Sequence, residues 1–162
     1  MVCFLVAVLL HEAAHALLLY LCHVPVIGFR LCICGAVIQT QLCSYRDELL
    51  CAAAGPVCNL ILLICFLRIN PVLSIVNAVL ATVNLLPLYP LDGGRILYAL
   101  LMMHMDPTRA SICMRYVAVV VCCLLMLSVC WLTIVGQAGI WPIFAALVLL
   151  CRAGQGKIPC HK

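Results

Sequence analysis

The chain has 162 residues, 68% of them apolar and 9% charged, with a mean hydropathy of +1.29 and a formal net charge of +4. Soluble domains carry about 25% charged and 45–50% apolar residues, so this composition excludes an ordinary soluble domain and indicates an integral membrane protein. The small basic excess lies in the connecting segments, where it reports membrane orientation; no nucleic-acid partner is expected.

The stretch from Val2 to Cys22, VCFLVAVLLHEAAHALLLYLC, is long enough to span a bilayer, which takes about 20 predominantly apolar residues. It lacks the basic start and small-residue cleavage site of a signal peptide and is expected to be a retained helix. His11, Glu12 and His15 lie in its middle, about 15 Å from its start at ~1.5 Å per residue. An ionisable group there costs roughly 2.5–3.5 kcal/mol on insertion scales, so three together call for a purpose. Positions i and i+4 share a helix face, so His11 and His15 can hold one metal ion with Glu12 beside it.

From Ile27 to Gln41, IGFRLCICGAVIQTQ is rich in β-branched residues, and two short strands turning at Cys34 and Gly35 are expected. Cys32 and Cys34 form a C-x-C pair with no second pair of matching spacing, which fits a strand better than a metal site. Asp47 and Glu48 complement the dipole of a second helix, which runs to about Leu67. Its Ala52, Ala53, Ala54 and Gly55 allow close helix approach; Pro56 frees a carbonyl one turn earlier, and Asn59 follows one turn after Gly55.

Pro71 to His104 is too long for one straight span. Its first part is apolar, with Asn77 and Asn84 on one face; LLPLYPLDGG, with two prolines and two glycines, breaks the helix, which resumes over Arg95 to His104. Broken backbone at membrane depth is tolerated only where it is buried in protein or lines a wet cavity. Asp92 sits in that break, and capping the helix that starts near Gly93 is compatible with a second role. Spans over Ile112 to Val135 and Gly139 to Arg152 follow, then a loose polar tail. The expected fold is therefore all-α and polytopic, with about five transmembrane segments, one broken at the active site, plus a short membrane-associated β-hairpin. The domain occupies residues 1–152, with a core of 2–104, additional helices over 112–152 and a flexible tail over 153–162.

Most of the fourteen cysteines, including Cys51, Cys58, Cys65, Cys122, Cys123, Cys130 and Cys151, fall inside apolar runs, where Cys packs as a small hydrophobe. Arg30, Arg46, Arg109, Arg115, Arg152, Lys157 and Lys162 would share one side of the membrane, against Arg68 on the other. The positive-inside rule makes the first side, and the C-terminus, cytoplasmic.

Catalytic zinc takes three protein ligands and a water; His11, His15 and Asp92 would complete that set. The ion acidifies its water, Glu12 accepts the proton and later returns it to the leaving amine, and a peptide carbonyl is attacked. Glu12 and Asp92 together cost about 5–7 kcal/mol unpaired at mid-membrane, which zinc binding of roughly 10 kcal/mol or more can offset.

HEAAH in the first helix, AAAGPVCN in the second and NLLPLYPLDGGR in the third together resemble the site-2 protease family of intramembrane zinc metalloproteases, peptidase family M50, nearest its stage IV sporulation protein FB branch. The resemblance covers Val2 to His104. It implies one Zn2+ per chain on His11, His15 and Asp92, Glu12 as catalytic acid–base, and Asn59 and Asn84 as candidate donors to the substrate backbone or oxyanion. It also implies a transmembrane protein substrate such as a tethered transcription regulator, a membrane regulatory partner, and a multi-pass bacterial cell-membrane location. Many members carry a helix before the HExxH helix, whereas this sequence opens on the latter; the loop from His23 to Arg46 is too short for a PDZ domain, and no CBS domain follows Arg152. The competing reading is a catalytically inactive membrane binding protein or a metal permease. A permease wants polar residues along several helices, which the last two spans do not offer, and a relic usually loses a ligand or the base.

Overall fold

The computed structural model describes residues 1–23, 26–32, 35–40 and 44–135, the two inner ranges as backbone. The span expected over Gly139 to Arg152, the tail over 153–162 and the turn residue Cys34 lie outside the described residues. The chain divides into two units, Met1–Asn84 and Leu85–Lys162.

In the first unit, α1 (Val2–Leu21), α2 (Tyr45–Phe66) and α3 (Pro71–Asn84) pack against one another pairwise. Between α1 and α2, the backbone of β1 (Val26–Cys32) runs antiparallel to β2 (Gly35–Thr40), pairing Phe29 with Ile38 and Arg30 with Val37, with an irregularity between Val26 and Gly28. The buried stripe of α1 is Ala7, His11, His15 and Leu19, one residue per turn. A four-residue repeat holds one face of a 3.6-residue helix toward its neighbours. α2 answers with Cys51, Ala52, Gly55, Pro56 and Asn59, small side chains over most of their length, so the two backbones approach closely. α3 contributes Leu73, Ser74, Asn77 and Ala81.

Local signals set the helix ends. Ser44 caps α2, its Oγ accepting from Arg46 N–H at 3.2 Å, with Asp47 and Glu48 in the first turn. Asn70 caps α3, its Oδ1 accepting from Leu73 N–H at 3.1 Å. Ser74 Oγ donates to the Leu63 carbonyl at 2.9 Å and ties α3 to α2.

In the second unit, residues 85–91 lead through a cis Tyr89–Pro90 bond into α4 (Asp92–His104), which packs against α5 (Pro107–Ile134). The helix resumes three residues earlier than Arg95: Leu91 is the N-cap, and Asp92, Gly93 and Gly94 form its first turn. Glycine is a poor helix former, but here each lies against folded backbone. A Cβ at Gly93 would meet the Leu85 carbonyl, and one at Gly94 the backbone of Leu88 and Tyr89. α5 likewise begins five residues before Ile112, with Asp106 at the N-cap and Pro107 at N1, a position where proline's missing N–H costs nothing.

Among the described residues, three helices, α1, α2 and α5, are long and apolar enough to cross a membrane, and α3 is a shorter apolar helix. The surface supports the same solvent. Leu9, Ile64 and Leu127 are exposed, while His11, Asn59, Ser74, Asn77 and Asp92 are buried. Apolar groups outside and polar groups inside is the arrangement a bilayer favours.

Candidate metal centre

Within the first unit the site is built where α1 meets α2. His11 and His15, one turn apart, bring their Nε2 atoms to 3.2 Å, with ring centroids 4.8 Å apart and planes at 80°. Both rings are anchored at the opposite nitrogen. His15 Nδ1–H donates to the Cys51 carbonyl at 2.7 Å; a carbonyl can only accept, so this bond leaves the His15 Nε2 lone pair aimed at His11. His11 Nδ1 stands 3.1 Å from Asn59 Nδ2. Gly55 makes the assembly possible: a Cβ there would fall 2.6 Å from His11 Nε2 and nearer still to His15 Nε2.

These distances suit a metal. Two nitrogens bound at about 2.0–2.1 Å to a tetrahedral zinc sit about 3.3 Å apart, against 3.2 Å here. With no side chain at Gly55, both Nε2 atoms lie where its Cβ would fall. Outer partners on Nδ1 are also what metal-binding histidines carry. Glu12, the residue next to His11, is half-buried.

Asn59 is fully buried at the Nδ1 side of His11, away from Nε2, and its Oδ1 has no hydrogen-bond partner among the described residues. Asn84 ends α3 half-buried. Asn77 is fully buried, with Nδ2 donating to the Leu73 carbonyl at 2.8 Å and Oδ1 without a partner among the described residues. In the second unit, Asp92 is buried at the start of α4, its Oδ1 3.7 Å from Arg95 Nη1 on the next turn. Among the described residues His11 and His15 are the buried histidines and Asp92 the buried carboxylate; His23 and His104 are exposed.

Sequence reasoning missed the Cys51 carbonyl. The carbonyl that Pro56 releases is that of Ala52, four residues earlier, but His15 takes its neighbour. A backbone acceptor leaves no mark in residue identity, and only the small-residue run on α2 hinted that something would come close.

The model of peptidase family M50 matches residues 67–128, which include α3, Asp92 and most of α5 but not the HEAAH helix. No curated protein matches. Among solved structures, the fold is similar to that of the site-2 protease from Methanocaldococcus jannaschii, with 23% identity and a TM-score of 0.71, over 99% of this chain and 78% of that one.

Proposed function

We propose that this chain is an intramembrane zinc metalloendopeptidase that cleaves a membrane-embedded or membrane-tethered protein within or near its transmembrane segment. The observation that carries the reading is the pair of imidazoles on an apolar helix, Nε2 to Nε2 at 3.2 Å, with Nδ1 of His15 tied to a carbonyl of α2. The partial match to peptidase family M50 and the fold shared with a site-2 protease support it.

In this reading His11, His15 and Asp92 would hold one zinc ion. Each is buried and offers one nitrogen or carboxylate donor, the three-ligand count of catalytic zinc. Bound zinc would supply Lewis-acid polarisation of the scissile carbonyl and acidify a water. Glu12 accepts the proton of the attacking water and returns it to the departing amine nitrogen, so peptide and water become acid and amine with no net proton change. Cys51 holds the His15 ring through its carbonyl. Asn84, half-buried at the end of α3, is the remaining candidate for a donor to the substrate backbone. The fully helical bond of a substrate is shielded by its own i to i+4 hydrogen bonding, so cleavage falls where the substrate is locally unwound.

Two variants separate base from ligand. Glu12→Gln should retain zinc and lose about 10²–10⁴-fold in cleavage of a single-span model substrate, whereas His15→Ala should lose both. A Glu12→Gln protein cleaving near the wild-type rate overturns the assigned role. The basic-residue asymmetry further supports a cytoplasmic C-terminus: a reporter active only there should work when fused after Lys162, and activity of a reporter specific for the opposite side refutes the orientation.

A further inference from the structure

The amide of Asn59 can meet His11 in two ways, and they have opposite consequences. As placed, Nδ2–H donates to His11 Nδ1. A neutral imidazole carries one proton, so Nδ1 as acceptor puts that proton on Nε2, which then donates to His15 Nε2 at 3.2 Å. That tautomer blocks the nitrogen that faces Gly55. Turned over, the amide presents Oδ1 to His11 Nδ1–H, and the ring's single proton then sits on Nδ1 rather than on Nε2. Oxygen and nitrogen of an amide are assigned from their hydrogen bonds, and here the buried Oδ1 finds no donor among the described residues. Either orientation keeps one bond to His11, so it is the demand on Nε2 that decides between them.

We infer that Asn59 is a positioning residue: its amide oxygen accepts Nδ1–H of His11 and so holds the ring in the one tautomer that can bind metal through Nε2. The inference rests on the metal-site reading above and departs from a substrate-facing or oxyanion role, because the amide lies on the Nδ1 side of the ring, away from the reacting face. Cys51 does the same for His15 with a backbone carbonyl. The two rings are thus held alike, by acceptors about one turn either side of Gly55 and Pro56 on α2. Outer partners of this kind tune metal affinity by ten- to hundredfold.

The test is the Zn2+ affinity of the full chain in lipid nanodiscs, measured by competition with a chelator, for wild type, Asn59→Leu and Asn59→Asp. Leucine fills the volume without an acceptor; aspartate is an acceptor only. Helix content and thermal unfolding report folding. Asn59→Leu should weaken zinc binding tenfold or more while Asn59→Asp stays within tenfold of wild type or binds more tightly. A loss under tenfold in a folded Asn59→Leu overturns the inference. So does a tenfold or greater loss in Asn59→Asp, the outcome expected if the amide nitrogen donates to Nδ1. Should Asn59→Leu fail to fold, Asn59→Asp decides by the same threshold. A wild-type chain that binds no zinc overturns the metal-site reading and this inference together; zinc-binding wild type with either adverse variant result overturns this inference alone.

Discussion

The bonded hydroxyls of α5 all fold back on their own helix, whereas the α1–α2–α3 unit, beside folded-back groups such as Asn77 and Thr82, also sends bonds from helix to helix. In α5, Ser111 and Ser128 donate to the carbonyls of Pro107 and Leu124 on their own helix, at 2.8 and 2.7 Å, and Thr133 to that of Cys130 at 2.8 Å. In the first unit, Ser74 reaches from α3 to the Leu63 carbonyl of α2, and His15 from α1 to the Cys51 carbonyl. A hydroxyl folded back on its own helix is satisfied wherever the helix goes, so it specifies nothing. One that crosses to another helix fixes register between them, and where the crossing group is a metal-type ligand, it fixes a ring as well. Polarity in an apolar helix is therefore not itself a sign of function; the direction of the hydrogen bond is.

Substitutions at the crossing points should break this contrast, beginning with the closest approach. Gly55→Ala puts a Cβ on both Nε2 atoms, so one ring must leave its place or α1 must move off α2. Zinc affinity should fall by at least the ten- to hundredfold seen when an outer partner is removed, measured by chelator competition. Binding unchanged in Gly55→Ala would mean that the imidazole pair is not held where α2 lies closest.

A smaller effect comes from paired serine substitutions. Ser74→Ala removes a crossing bond and leaves the Leu63 carbonyl without that donor, which should destabilise the fold by about 0.6–1.7 kcal/mol, the span of interhelical bonds in membranes. Ser128→Ala removes a bond within one helix and should stay within about 0.5 kcal/mol, as surface changes do. Reversible unfolding in mixed micelles, run on both variants together, reads the difference. Equal effects would remove the distinction between crossing and folded-back hydroxyls.

Much of this was legible in the chain itself. The apolar run with His11 and His15 at i and i+4 implied a buried imidazole pair, because that spacing is a property of the helix alone. Two prolines and two glycines after Asn84 implied a break; it ends at Leu91, so Asp92, expected inside it, is instead the first residue of α4. α4 starts three residues before Arg95 although Gly93 and Gly94 read as breakers; the backbone of Leu85 to Tyr89 lies where a side chain at either would fall. The start of α5 was misjudged because the apolar run begins later than the helix, although Asp106 and Pro107 carried the cap signal.

The sequence by itself determined the helices, the break and which residue types could take a metal, since periodicity, proline and glycine act over a few neighbouring residues. Only the tertiary structure decided which group each imidazole Nδ1 meets. His15 finds its acceptor 36 residues away and His11 its amide 48 residues away. Ring orientation and the close contact at Gly55 depend on the approach of two helices, and that approach is set by packing over their whole buried faces rather than by any spacing along one of them.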